Sequence, residues 1–422
     1  MEPHQRRAHP ARQARRHRLP GLRGRRPGAG IPGDAAGRAR RRERAGVRRH
    51  RPAVDDPLGL HGRPGGAARR HDPSRPERGR RREVSDPASD NLRGTLSAKK
   101  LVLTGAVLLL ATVAVLGACS LVGVISLGDL TPLVWKTRLV RLTVAGVVGA
   151  ALATAGMALQ GLLRNPLAEP YILGISSGAG VGVLFGLAMA DWWGALPKWL
   201  SGPTLALAGA AVTCGAVYGI AQRRGRLDPY VLLLSGVIVN AFNGAVMLSI
   251  YLFVKPYVVS GFMVWAMGNL TDNVSAGMLL TAGACVLAGW AVLLARGAAF
   301  NTLGLGDEVA ATSGVPVHWL RVETFLVVSL MTAAAVTLAG PVGFVGLIVP
   351  HVCRLVVGPD HRRLAVVSAL VGAMFLMIAD TLCRVVGELL NAGDLPVGVL
   401  TALCGGPFFI ALLRGRLKEH RR

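Results

Sequence analysis

The chain has 422 residues, of which 51% are hydrophobic and 17% charged, with a formal net charge of +25. The first hundred carry 26 Arg and 2 Lys against 10 acids, so the remaining 322 hold only +7 and the excess charge is not a property of the apolar part. From residue 101 onward only 33 residues are charged, which excludes a soluble core and places this part among multi-span helical membrane proteins.

Residues 1–100 show neither helical nor alternating apolar periodicity, are crowded with Pro and Gly, and contain no Lys before Lys99. Such a segment cannot bury enough surface to fold. Three readings compete: a disordered basic tail that touches nucleic acid or anionic lipid, a targeting segment, or translation of DNA upstream of the true start codon. The third is preferred, because a GC-rich frame yields this bias without selection and no Met lies between Met1 and Met157. Val84 or Leu92 would then mark an alternative start, leaving a short polar lead before Lys99 and Lys100. The expected organisation is a disordered extension over 1–98 and a transmembrane domain over 99–422. The apolar run from Leu101 is too long for a signal peptide and lacks a cleavage site.

A hydrocarbon core of about 30 Å takes roughly 20 helical residues. Runs of that size predict about ten spans: 101–122, 142–163, 171–190, 203–221, 230–254, 275–295, 322–339, 342–357, 364–390 and 396–413. With both termini cytoplasmic, fourteen basic residues fall inside, among them Arg164, Arg296, Arg321, Arg354, Arg362 and Arg363. Six fall outside, namely Lys136, Arg138, Arg141, Lys198, Lys255 and Arg384, which obeys the positive-inside rule. Trp192, Trp193 and Trp199 then sit at the outer boundary, where indole rings favour the interface. Cys119, Cys214, Cys285, Cys353, Cys383 and Cys404 are scattered singly and read as small packing residues.

In the second span, Ala145, Gly149 and Ala153 recur at four-residue spacing, giving one helix face without bulk that a neighbour can approach closely. After Gln160, the run Arg164-Asn165-Pro166-Leu167-Ala168-Glu169-Pro170 ends that helix, and the glycines from Gly174 through Gly178 permit a tight re-entry. Asn240 and Asn243 share one face of the fifth span, either lining a wet path or bonding between helices. Over 300–317, Asp307 and Glu308 suit the start of a short helix and Gly314 its left-handed stop. The segment from Gly340 to Arg363 holds Gly343, Gly346 and Pro350, which free backbone groups that lipid cannot satisfy, so it must pack among helices or line a cavity. His351 beside Pro350 reads as packed rather than metal-ligating, since no second ligand accompanies it. None of the six lysines follows a glycine, so there is no P-loop and the chain is not a P-loop ATPase by itself.

Four blocks resemble the FecCD-type permeases, membrane subunits of bacterial ABC importers for ferric siderophores, heme and cobalamin. The first is Arg138-Leu139-Val140-Arg141, with Val140 where that family has Pro; the second is Asn165-Pro166-Leu167-Ala168 with the following glycines. The third is Gly340-Pro341-Val342-Gly343-Phe344-Val345-Gly346-Leu347 followed by Pro350, His351 and Arg354, and the fourth is Pro396-Val397-Gly398 with Pro407. The resemblance covers essentially all of residues 100–422. It implies an all-α importer fold that pairs with itself, a separate cytoplasmic subunit that hydrolyses ATP with Mg, no covalently bound cofactor, and an extracytoplasmic substrate-binding protein. It implies that Arg138 and Arg141, with Arg384 as a weaker third, accept acidic residues of that binding protein. Pairing with Asp380, one helical turn away, is an equal reading for Arg384. It also implies that Leu303, Gly304, Gly306, Asp307, Glu308, Ala310, Gly314 and Val315 form a coupling helix against the ATPase, with Ser313 in place of a usual Leu.

The resulting expectation is a permease of the bacterial cell membrane, not an enzyme, carrying a ferric siderophore inward, with cobalamin or heme as alternatives. Membrane lipid is expected around it, and no nucleic acid as partner. The rival is an ion-coupled secondary transporter, which would want deep carboxylates, with Asp380, Glu323 and Glu388 the only ones near spans.

Overall fold

The computed structural model describes residues 98–122, 131–194, 197, 200–223, 226–272 and 274–419. Lys198, Trp199, the proposed starts Val84 and Leu92 and the 1–97 extension lie outside them.

Thirteen α-helices occur among the described residues: α1 (Ala98–Leu121), α2 (Pro132–Leu163), α3 (Ile175–Trp193), α4 (Gly202–Ala221), α5 (Pro229–Tyr251), α6 (Pro256–Ala266), α7 (Ala276–Ala295), α8 (Gly297–Leu303), α9 (Asp307–Thr312), α10 (Val317–Ala339), α11 (Val345–Val357), α12 (His361–Leu389) and α13 (Val397–Glu419). Nine are long and apolar enough to cross a membrane, and α6 and α11 are shorter apolar helices. A two-residue hairpin, β1 (Gln222–Arg223) with β2 (Arg226–Leu227), links α4 to α5.

The helices start where side chains can take up the first free N–H groups. Asp228 accepts from the amides of Tyr230 and Val231 at 2.9 and 3.2 Å, with Pro229 opening α5. Asp360 caps α12 through the Arg362 amide at 3.1 Å, and Thr131 precedes Pro132 at the start of α2. Three helices end in the same two-bond stop, in which one residue turns left-handed. In α9 the Val315 amide reaches the Ala310 carbonyl and the Gly314 amide that of Ala311, with Gly314 at φ 83°. Asn391 plays the same part after α12, and Arg164, a non-glycine at φ 47°, after α2.

Three elements differ from the sequence expectation. α2 begins at Pro132, not at 142, and its 32 residues run about 48 Å, longer than a hydrocarbon core. Lys136, Arg138 and Arg141 delay the apolar window, yet both arginines are buried within the bundle, at 7% and 8% exposure. The expected span 342–357 is helical only from Val345, because Gly340 and Phe344 both take positive φ, 66° and 67°. The eleven-residue α6 had no counterpart in the expected spans, being too short to cross.

α2 is the axis of the bundle, packed by α10, α11 and α12. Its small face does what its spacing predicts: a Cβ at Gly149 would fall on the Gly372 carbonyl of α12, and one at Gly372 on the Gly149 carbonyl. α3 and α4 approach in the same way through Gly178 and Gly209, with the Thr213 hydroxyl against Gly178. Such contacts place backbone on backbone, so the packing leaves no room for even a methyl group.

Candidate functional site

A cavity of about 760 Å³ lies between α3, α5, α6 and the 340–344 turn. Ser176, Ser177, Asn240, Met247, Tyr251 and Trp265 are on its wall, and no charged side chain lines it. The missed helix α6 supplies the aromatic side: Phe262 lies 6.0 Å from Tyr251 and 5.6 Å from Trp265, centroid to centroid. The two asparagines part company here. Asn240 reaches the cavity, whereas Asn243 is buried and donates to the hydroxyls of Ser177 at 3.0 Å and Thr213 at 3.1 Å. For Asn243 the lining expectation gives way to the interhelical one, because the three-residue step turns its amide about 60° around the helix, toward Ser177 of α3 and Thr213 of α4.

Below the cavity, two non-helical stretches interlock. The 164–174 connection ends in a 3-10 turn, Pro170–Leu173, and Gly174 at φ 77° releases α3. Asn165 accepts from the Leu167 amide at 3.0 Å, holding the turn closed. Against it lies 340–346: the Tyr171 hydroxyl accepts from the Val342 amide at 2.9 Å, and the Glu169 carboxylate from the Phe344 amide. Gln160 donates to the Gly346 carbonyl at 3.1 Å, and a Cβ at Gly156 would fall on that same carbonyl. Pro170 packs on Gly346, and Gly343 lies beside Glu169. The backbone groups that Pro and Gly leave unsatisfied are thus met by side chains from the other motif. On the far side, the Gly398 amide donates to the Gly268 carbonyl at 3.0 Å, tying Pro396 and the start of α13 to the end of α6. Pro350 lies inside α11 and Pro407 inside α13, where His351 packs edge-on to Phe408 at 5.8 Å.

Burial raises the Glu169 carboxyl to about 7, against the lowering effect of the Phe344 amide. A carboxyl that is raised on folding holds its proton in the folded chain after the unfolded chain has lost it, so stability falls as pH climbs from the ordinary carboxylate range toward 7. Glu169→Gln keeps an acceptor for the amide and removes the charge. Its melting temperature in detergent is expected to stay flat between pH 5 and 8 where the parent's falls; parallel curves would contradict this.

At the α2 N-terminal end, Asp380 of α12 is 1% exposed and sits between two arginines. Arg141 donates to both its oxygens through Nε at 3.1 and 3.2 Å and through Nη2 at 3.1 Å, and also pairs with Asp394. Arg384 Nε lies 3.3 Å from the second oxygen, and Arg138 donates to the Ser120 carbonyl at 3.2 Å. All three arginines are 7–8% exposed and are engaged inside the bundle rather than presented on its surface. Arg384 follows its alternative reading, the pair with Asp380. The other carboxylates near spans are also accounted for: Glu323 is paired with Arg296 at 2.8 Å, and Glu388 is exposed.

At the opposite end, α8 and α9 form a two-helix projection. Leu303 and Ala310 are fully buried and anchor it, while Gly304 ends α8 and Gly306, at φ 135°, supplies the bend. Asp307 pairs with Arg164 and with Arg321 at 2.6 Å, so it ties the end of α2 to the start of α10. Glu308 points outward, with Leu305, Val309 and Trp319 exposed at 73%, 44% and 67%. Those three apolar residues were not singled out in the sequence; Leu305 stands between Gly304 and Gly306, but nothing local marks Val309 or Trp319 as exposed rather than buried.

The sequence model of the FecCD transport family matches residues 102–415. The chain belongs to the FecCD transport family. It is 43% identical to the cobalamin import system permease protein BtuC of Halobacterium salinarum over 290 residues, covering 67% of this chain and 74% of that protein. It is 35% identical to the hemin transport system permease protein HmuU of Yersinia pestis over 333 residues, 76% of this chain and 97% of the other. An inward-facing metal-chelate type ABC transporter superposes with a TM-score of 0.64 at 27% identity, covering 75% of this chain and 99% of its own. This FecCD chain is a multi-pass ABC importer permease.

Proposed function

We propose that the chain forms the membrane conduit of a metal-chelate importer, paired with a second permease, driven by a separate cytoplasmic ATPase and fed by an extracytoplasmic binding protein. Both termini then lie in the cytoplasm, with α8 and α9 facing the ATPase and the Asp380 cluster facing the binding protein. The observation that carries this reading is the uncharged, aromatic cavity flanked by the 340–344 turn. It offers dispersion and a few hydroxyl and amide contacts but no fixed charge to trap a large chelate. Its two partners would stabilise inward- and outward-facing states in turn, which is all that alternating access requires.

Arg138, Arg141 and Arg384 act on docking indirectly in this reading. The Arg141 link to Asp394 sets the 390–396 turn, and that turn meets the binding protein. Leu305, Val309 and Trp319 are the apolar contacts for the ATPase, with Glu308 on the rim. Leu305→Asp with Val309→Asp is expected to weaken ATPase association at least about tenfold, since interface binding energy concentrates in a few apolar anchors, with melting temperature unchanged. Unaltered association would remove this surface from the reading.

A ferric siderophore is the preferred cargo. Cobalamin is the second reading, favoured by the 43% identity to a cobalamin permease. Cells lacking their own uptake systems, supplied with this permease and its ATPase and binding protein, separate the two. Accumulation of iron-55 siderophore supports the first and of cobalt-57 cobalamin the second, and accumulation of neither of these nor of heme overturns the importer.

A further inference from the structure

Away from the cavity and both docking ends, a groove runs between α1 and the rest of the bundle. α1 rests mainly on α12 and leaves Val102, Leu103 and Leu110 65–71% exposed. Its deep part, about 450 Å³, is walled by Gly105 and Leu109 of α1, Gly146 of α2, Gly283 and Trp290 of α7, and Leu370 of α12. No charged residue lines it, and the Trp290 indole N–H is already used by the Ala365 carbonyl at 2.9 Å. Its shallow part, about 250 Å³, adjoins it at Val366 and is lined by Thr104 of α1, Val356 of α11 and Arg363 of α12.

The order of these residues along each helix is that of an amphiphile. From Arg363 to Leu370, and from Trp290 to Gly283, each helix covers about 10 Å of depth, cationic at the shallow end and uncharged beyond, where the Thr154 hydroxyl is already spent on the Ala150 carbonyl. Arg362 shares that first turn of α12, and Arg354 lies in the last turn of α11. Arg363 Nε lies 3.5 Å from an Asp360 carboxylate oxygen, and that carboxylate is divided between capping α12 and receiving the Asn301 amide at 2.8 Å. Among the described residues, the shallow end thus gathers three arginines around one aspartate, the kind of basic pocket between membrane helices that recognises anionic headgroups.

We propose that this groove binds one anionic phospholipid, its phosphate at the Arg363 end and one acyl chain along Gly105, Gly146 and Gly283. The lipid completes the packing of α1, and the site is separate from the transport cavity.

The test uses the full chain purified in detergent, titrated with phosphatidylglycerol or phosphatidylcholine of identical chains and read by native mass spectrometry. Phosphatidylglycerol is expected to bind more tightly, and Arg363→Gln to lower its affinity about fivefold, toward that of phosphatidylcholine. Gly283→Leu is the steric counterpart. A Cβ there meets nothing within 4 Å, so the variant folds and its side chain enters the groove. It should abolish retention of phosphatidylglycerol even if Arg363→Gln proves unstable. Equal affinity for the two lipids, retention unchanged by Gly283→Leu, or a change of oligomeric state without loss of lipid would each overturn the proposal.

Discussion

Asp380→Ala is expected to cost most of the folded protein. The substitution leaves Arg141 and Arg384, each about a tenth exposed, as neighbouring buried cations without their shared carboxylate. Removing one partner of a buried pair costs about 3–5 kcal/mol, a large share of the roughly 5–15 kcal/mol by which a folded chain is stable. Loss of yield and a sharply lowered melting temperature in detergent are the expected readouts. Arg141→Gln combined with Asp380→Asn removes both charges and should recover part of the loss, because interacting neighbours are not additive. An Asp380→Ala protein that melts with the parent would show that the cluster is hydrated and of little weight. The same pair separates the permease from an ion-coupled carrier, in which Asp380 would titrate during transport rather than stay paired.

Gly156→Val is expected to have the next largest effect. The added Cβ would fall on the Gly346 carbonyl, and both sides of that contact are backbone, so no flexible side chain can yield. α11 has to move off α2, breaking the Gln160 bond to Gly346 and loosening the grip of Glu169 and Tyr171 on the 340–344 turn. Overpacking of this kind costs about 1–3 kcal/mol or more, and protein that does fold should have lost transport. Gly215→Ala is the control, since its Cβ meets nothing within 4 Å and alanine favours a helix over glycine by up to about 1 kcal/mol. A Gly156→Val protein as stable and active as Gly215→Ala would contradict the close approach.

What could be read from the sequence was periodic or punctuated. The stripe Ala145, Gly149, Ala153 announced a close helix contact, and Asp307 and Gly314 bracketed α9 because a helix start and a left-handed stop are local events. What could not be read depended on partners far along the chain. Arg141 looks like a boundary residue until Asp380 and Asp394, more than 200 positions away, are brought to it. α6 was invisible because the eleven residues from Pro256 to Ala266 are too few for a span and too apolar to stand out as a loop. The true start of α11 turned on Phe344 adopting φ 67°, which no propensity assigns to an aromatic residue. Asn240 and Asn243, alike in type, took different tasks because only Asn243 meets the hydroxyls of Ser177 and Thr213, while Asn240 opens onto the cavity.

The most direct measurement is uptake into proteoliposomes by the purified chain, with and without the ATPase subunit, ATP and binding protein. A conduit without a motor should accumulate no chelate alone, under a proton or sodium gradient or without one, and should do so when all three are supplied. Uphill accumulation by the chain alone would contradict it.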